Sequence, residues 1–528
     1  MFWSSPVAPK VGGDVARALN DIRVEIEARR AELRDERGAS PAMADFYAGK
    51  SVFLTGGSGF LGRLVVEMLL RTCPDIGNVY LVVRAKKGVR PEDRLKALVD
   101  VPLFDRLRAE RPGALDKVVV LPGDITALKL GLSDEHQELL RREVAVVIHL
   151  AASVRFDDPF QKAVFTNLRS TREVCELAKG MVQLKSLVHV STAYTNINRV
   201  PLEEVVYDQP QDWRDVIRWA EELEARSPRA LDFLSPKIMG FQPNTYTFTK
   251  ALAEKLIDDY AQELPVIITR PSIVVATFRD PIPGWMDNLY GLAGFWAGGF
   301  KGVMRIVYSP NVHFDSIPAD MATKTILLAS WHRGIKADSK TTGSEVVNVT
   351  VGAEAGVSYK DMSWVVSEAG IGRLVPYPGA IRPPKFEITA CKFWFWMLFL
   401  YHHILYAIIL DSLARMSGAK PRVLDIYRRV VVALDATSPF QQNFVFLVDN
   451  QKALQTVMHP VDEEHYSYIA TLRIRDSIEH FRTVCVDSVR GILKYVLKEE
   501  DNPEKNWRHI ARYRTKFGHT NDPFWFFF

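Results

Sequence analysis

Between Lys50 and about Gln242, short apolar runs alternate with segments of helical spacing. SVFLT, VYLVVR, VVVLPG, AVVIHLAA and LVHVST are branched and almost uncharged inside, and VIITRPSIVV (266–275) supplies a further run. A half-exposed strand would alternate polar and apolar residues. Continuous apolar runs of this length predict strands of a parallel sheet buried on both faces, with helices as crossovers. Residues 13–37 combine helical spacing with alternating charge. They predict a solvated or capping helix within an N-terminal extension over 1–44, with partner binding as the alternative. VPYPGAIRPPK (375–385) carries prolines at 376, 378, 383 and 384 and breaks the pattern, so 376–385 is expected as a linker. Beyond it, 386–528 reads as mainly helical and aromatic.

Composition narrows the class. Of 528 residues, 47% are apolar and 25% charged, which excludes wholesale disorder. The net charge of +4 is too small for this length to make nucleic acid an expected partner. Cys73, Cys175, Cys391 and Cys485 are far apart and form no CxxC pair, as suits buried thiols in a reducing, cytoplasmic compartment. The N-terminus lacks a basic head followed by an apolar run, so a secretory signal is not expected. HExxH, EF-hand and Walker A motifs are missing, and the adjacent His402 and His403 diverge on a helix; no metal is expected.

The first strand runs into GGSGFLG and then a helical segment, placing Gly56, Gly59 and Gly62 at a strand-to-helix turn. Glycine there lets the backbone turn tightly and approach a pyrophosphate, while the helix N-terminus offers free N–H groups to the anion. Ser58, Phe60 and Leu61 share that loop. The fold class is therefore α/β, a Rossmann-type doubly wound parallel sheet followed by a C-terminal mainly helical domain. Arg84 ends the second strand where an NAD site would usually carry a carboxylate; arginine favours a 2′-phosphate, and Lys86, Lys87 and Arg94 add charge nearby. NADPH is the expected cofactor. Asp124, with Ile125 after it, is placed to accept from the adenine amino group. Ala151 and Ala152 are small enough to let the cofactor lie close.

Tyr246 and Lys250 form a Y-x-x-x-K unit with one turn between them, on one helix face. A phenol of ordinary pKa about 10 is a poor acid at neutral pH, and a neighbouring ammonium is expected to lower that value. Lys250 also suits the nicotinamide ribose. Thr192 stands where the fifth strand leaves the sheet, where its hydroxyl can donate to a carbonyl oxygen gaining charge. Asn167, on the preceding helix, can fix a water or a backbone carbonyl in a proton relay.

In this order, TGGSGFLG, HLAA, VST and YTFTK resemble the extended short-chain dehydrogenase/reductases. DFYAGKSVFLTGGSGFLG, EMLLRTCPDIGNVYLVVRAKKG, HLAASVRFDDPFQKAVFTN, VHVSTAYTN, TRPSIVVATFRDPIPGWMDN and FDSIPADM narrow the likeness to fatty acyl-CoA reductases. LDSLARMSGAKPRVLDIYRRVVVALD and SPFQQNFVFLVDN resemble the helical domain that accompanies them. The resemblance implies an NADP-binding reductase domain over 45–375 with substrate-binding insertions, and a C-terminal reductase-family domain over 386–528. It implies Thr192, Tyr246 and Lys250 as the catalytic set, and Gly56, Gly59, Gly62 and Arg84 as holders of the diphosphate and 2′-phosphate. Pro271 and Ile273 would lie against the nicotinamide. The reaction implied is four-electron reduction of a long-chain acyl-CoA to a primary alcohol through a bound aldehyde. Two-electron release of aldehyde, a dehydrogenase acting on sterols or sugars, and a non-catalytic NADP-binding scaffold are the alternatives.

The apolar run Phe393–Leu410 sits at the low edge of membrane-spanning length and holds two histidines. A buried core helix lining an acyl tunnel, an interfacial docking segment and a transmembrane helix all stay open. The closing DPFWFFF is a packed terminus or a membrane toe-hold, and a long C-terminal anchor is not expected. Peripheral membrane association suits a greasy substrate; the oligomeric state stays open.

Overall fold

The computed structural model describes residues 40–508 apart from 85–87, 227, 311, 337–342, 353–356, 368–374, 376, 379, 381–386 and 469–477. The expected helix over 13–37, most of the expected linker and the closing DPFWFFF lie outside the described residues. Seven strands form one sheet: β1 (Ser51–Thr55), β2 (Val79–Val83), β3 (Val118–Pro122), β4 (Val144–His149), β5 (Ser186–Val190), β6 (Val266–Pro271) and β7 (Glu345–Val349). Their order is β3-β2-β1-β4-β5-β6-β7, and every neighbouring pair is parallel. The chain starts in the middle at β1, runs outward to β3, and returns to β4 on the other side. That reversal opens a crevice at the carboxyl ends of β1 and β4, the position where doubly wound sheets bind ligands.

Every residue of β1, β2, β4, β5 and β6 is buried, as the unbroken apolar runs require. One face is covered by helix α1 (Phe60–Thr72), which buries Leu64, Val65, Met68 and Leu69 and stops just before Pro74. A later helix over Ala319–Ile335 packs on the same face. The opposite face carries α2 (Ser170–Lys179) and α3 (Thr245–Asp259). Val164–Arg169, leading into α2, is wound as a π-helix.

Two elements differ from the sequence reading. The run at 266–275 is two strands: after Pro271 the chain leaves the sheet, and Ile273–Val275 pairs with Ser316–Pro318. The seventh strand, EVVNV, was not among the expected ones; it is short and bears Asn348, whose amide is held by the carbonyls of Leu202 and Leu447.

The apolar run forms one continuous helix over Lys392–Met416. Phe395, Phe399, His402, His403 and Ala407 face inward, whereas Phe393 (67% exposed), Trp394, Trp396, Leu405, Ile408, Ile409 and Leu413 face out. A core helix is therefore not what the run makes. A helix over Val423–Thr437 pairs with it. The chain then returns in extended form to the segment that follows β5: Leu202 donates to the Val445 carbonyl at 2.7 Å, and Leu447 donates to the Leu202 carbonyl at 3.0 Å.

Candidate active site

The glycine loop behaves as a cradle. Gly56 takes φ +76°, and a Cβ on it would sit 2.7 Å from the Ala151 nitrogen, so side chains are excluded both by conformation and by space. At Gly62 a Cβ would lie 2.2 Å from the Gly56 carbonyl oxygen, which is why the helix can start so close under the loop. Gly59 is exposed and caps α1, leaving the first amides of the helix open to an anion. Phe60 stacks on Trp285 at 5.2 Å, and Leu61 packs toward the core. Ser58 lies on the turn itself. Ala151 is buried beside Gly56, and Ala152 follows at the crevice rim. The cradle fits the diphosphate of a nicotinamide dinucleotide.

Arg84 emerges at the end of β2 and donates to Asp124 Oδ1 at 2.8 Å. The same oxygen accepts the Thr126 backbone N–H at 2.9 Å and its hydroxyl at 2.7 Å. Partial burial opposes ionisation of Asp124, but Thr126 and Arg84 outweigh it and hold the carboxyl below its usual range. Arg94 donates to the Arg84 carbonyl, fixing the strand end. Ile125 packs beneath against the core. Arg84 and Asp124 are thus brought together rather than placed separately.

Helix α3 carries the candidate catalytic pair. Asn244 caps it, accepting the Thr247 N–H at 2.9 Å, so Tyr246 sits in the first turn and Lys250 one turn further in. Thr192 lies just past β5; its hydroxyl approaches the Pro271 carbonyl at 3.5 Å and accepts the Tyr194 N–H at 3.4 Å. Both contacts are long, which leaves the hydroxyl available to Tyr246, whose phenol it lies near enough to stabilise in its ionised form. Thr192 and Tyr246 are thus brought together, and Lys250 lies one turn along α3 from Tyr246. Pro271 belongs to this cluster through its carbonyl, which also accepts the Ala193 N–H at 2.9 Å. Ile273 is half-buried next to it.

The electrostatics differ from expectation in one respect. Burial pushes the Tyr246 phenol up to about 12; the Thr192 hydroxyl opposes this and Glu254 adds to it. The anticipated lowering by Lys250 does not occur: Lys250 is not among the groups that act on the phenol, and desolvation dominates. Lys250 itself is pulled down to about 8 by burial, against the attraction of Glu254. Its ammonium donates to the Val190 carbonyl at 2.6 Å, tying it to the end of β5.

Asn167 is a brace. Its Oδ1 accepts the Ser153 N–H at 2.8 Å, and its Nδ2 donates to the Ser153 carbonyl at 3.2 Å and to Thr249 Oγ1 at 3.0 Å. It therefore joins the loop after β4 to α3. The π-turn that holds it is a device often found at functional sites.

Three groups escaped the sequence reading. His149 Nδ1 lies 2.6 Å from Thr55 Oγ1 and Nε2 3.0 Å from Thr171 Oγ1. Burial, reinforced by Lys250, lowers its pKa to about 3, so it is neutral. The histidine of HLAA was its only sequence signal. Arg270 makes a two-pronged ion pair with Glu254, at 2.9 and 2.7 Å, and also donates to the Glu203 and Val205 carbonyls. This pair bolts α3 to β6. Phe156 lies 5.9 Å from the Tyr246 ring and 5.3 Å from Phe440.

Comparison with known proteins agrees with this geometry. A NAD-binding family model described as Male sterility protein matches residues 54–326, and a second model of that description matches 402–499. Fatty acyl-CoA reductase 1 of Mus musculus is 34% identical over 462 residues, covering 87% of each chain. Fatty acyl-CoA reductase wat of Drosophila melanogaster is 33% identical over 485 residues, covering 91% of this chain and 90% of that one. Among solved structures, the terminal R domain from the myxalamid PKS-NRPS biosynthetic pathway superposes with a TM-score of 0.52 at 19% identity, covering 91% of this chain and 100% of that one, a likeness of fold. With the glycine cradle, the Thr–Tyr–Lys cluster and the second matched region in place, the chain belongs to the fatty acyl-CoA reductase family.

Proposed function

We propose that this chain reduces long-chain fatty acyl-CoA to the primary alcohol with NADPH, releasing CoA. The observation that carries the reading is that Thr192, Tyr246 and Lys250 lie at the same carboxyl edge of the sheet as the glycine cradle, with Thr192 beside the Tyr246 phenol and Lys250 tied to the end of β5. Cofactor binding is assigned to Gly56, Ser58, Gly59, Phe60, Leu61 and Gly62 at the diphosphate, and to Arg84, Arg94, Asp124 and Ile125 at the adenosine end. Ala151, Ala152, Asn167, Pro271 and Ile273 shape the crevice toward the nicotinamide.

Bound NADPH would supply hydride to the thioester carbonyl carbon and, in a second round with fresh cofactor, to the aldehyde. Thr192 and Tyr246 donate to the carbonyl oxygen as it gains negative charge, and Tyr246 passes its proton there. A phenol pushed up to about 12 stays protonated across the neutral range, yet still donates to an alkoxide-like oxygen that is more basic. Lys250 is cationic below its value of about 8 and stabilises the phenolate left behind. The hemithioacetal then breaks its C–S bond: its hydroxyl proton returns to the Tyr246 phenolate, CoA leaves as the thiolate and takes a proton from water, and an aldehyde remains. Repetition at the same oxygen site gives the alcohol.

The preference for NADPH rests on Arg84. Replacing it (Arg84→Ala) is expected to raise the KM for NADPH at least about tenfold while leaving that for NADH nearly unchanged. Equal KM values for NADPH in parent and variant would overturn that assignment. The proposed location is cytoplasmic and peripheral to a membrane. The outward apolar face of Lys392–Met416 supports this, with Trp394, Trp396 and Tyr401 exposed on it and Lys392 and Arg415 near its ends.

A further inference from the structure

Among the described residues, Phe440 brings the C-terminal region against the neighbours of both Tyr246 and Thr192. Phe440 closes a short turn over Ser438–Phe440, after which the chain runs extended across the reductase domain. Phe440 stacks on Phe156 (5.3 Å, 27° between planes), and Phe156 lies against Tyr246 (5.9 Å, 31°). Phe440 also meets Tyr194 edge-on at 5.5 Å, and Tyr194 is the residue whose N–H is received by the Thr192 hydroxyl. One ring thus touches the neighbours of both candidate catalytic hydroxyls.

The segment that carries this ring is held firmly. Gln441 donates to the Tyr308 carbonyl at 3.3 Å, Gln442 to the Ile197 carbonyl at 2.9 Å, and Asn443 accepts the His313 N–H at 2.8 Å. Leu202 pairs with the stretch around Phe446, and Phe444 and Phe446 close on the Tyr194 ring at 5.2 and 5.6 Å. By contrast, the loop holding Phe156 is pinned mainly through Ser153 and Asp158. Phe156 itself is half-exposed, so its side chain depends on Phe440 for a fixed position.

We propose that Phe440 is a positioning residue for the reduction: stacked on Phe156 and Tyr194, it fixes the Tyr246 and Thr192 hydroxyls relative to each other. The second matched region then completes the active site of the first instead of merely accompanying it. This rests on the catalytic reading of Tyr246 and Thr192 given above. A displacement of these hydroxyls by an ångström weakens proton donation steeply but leaves the cofactor cradle, built on Gly56–Gly62, untouched.

The test compares the full-length parent with Phe440→Leu, Phe440→Tyr and Phe156→Leu. In Phe440→Leu, kcat with palmitoyl-CoA is expected to fall about tenfold or more, with the Kd for NADPH and the melting temperature held. Phe440→Tyr keeps the ring and should recover kcat, and Phe156→Leu should reproduce the loss from the other side. A second readout needs no turnover: with fluorotyrosine at position 246, the 19F resonance should shift in Phe440→Leu and return in Phe440→Tyr. An unmoved resonance, or an unchanged kcat in a folded Phe440→Leu or Phe156→Leu protein, overturns the proposal. So does a parallel fall of kcat, NADPH affinity and melting temperature, which would mark a purely structural role. A parent protein without turnover would overturn the catalytic reading, and the resonance comparison would still decide the positioning.

Discussion

Lys250 shows most directly how burial and chemistry oppose each other at one residue. Its ordinary value of 10.5 falls to about 8 in the folded chain. Between those values the unfolded chain binds the extra proton, so the charge penalises folding fully below about pH 8, and the penalty fades as the pH rises toward 10.5. That difference corresponds to about 3 kcal/mol, less about 1 kcal/mol for the hydrogen bond to Val190. Lys250→Met should therefore abolish turnover while leaving thermal stability at pH 7 equal or higher, with the advantage shrinking at alkaline pH; a melting curve across pH checks this. Tyr246→Phe should keep NADPH binding and lose about a thousandfold or more of kcat, which steady-state kinetics and cofactor fluorescence separate. Both residues were legible from their i, i+4 spacing. The raised phenol was not, because desolvation depends on Phe156, Thr192 and neighbours from distant parts of the chain.

Among elements, the strand–turn–helix over Ser51–Thr72 was readable because its constraints are local: an apolar run, the spaced glycines at 56, 59 and 62, and an amphipathic stripe. Gly62→Ala drives a methyl to 2.2 Å from the Gly56 carbonyl, so the helix must shift, and both NADPH affinity and the melting temperature should fall together. Helix α3 is fixed differently. Its Glu254 is fully enclosed with Arg270, and removing one partner strands a buried charge at a cost of about 3–5 kcal/mol. Glu254→Gln should lower denaturant stability by that order, while the pair Glu254→Leu with Arg270→Met should regain most of it. Nothing local in RPSIV announces a partner on another element, so the sequence could not reveal this bolt. The strand Glu345–Val349 was likewise hidden, being short and interrupted by an asparagine whose satisfaction comes from Leu202 and Leu447.

At the scale of the molecule, the C-terminal region is stitched to the reductase sheet. Glu204 accepts the backbone N–H groups of Asn348 at 2.9 Å and Asn450 at 2.6 Å, so one carboxylate joins a sheet strand to the returning chain. Burial pushes Glu204 up to about 7, with those N–H groups opposing. The apolar helix over Lys392–Met416 was visible in the sequence as a run, but only packing reveals that a broad apolar face of it is left outward. The proposed chemistry needs one site to perform two successive reductions on a thioester. Simultaneous measurement of NADPH oxidised, free thiol released and alcohol formed from palmitoyl-CoA tests it most directly. Two NADPH per thiol, with hexadecanol accumulating and no free aldehyde, is the predicted result. One NADPH per thiol with aldehyde released, or no thiol at all, would contradict it.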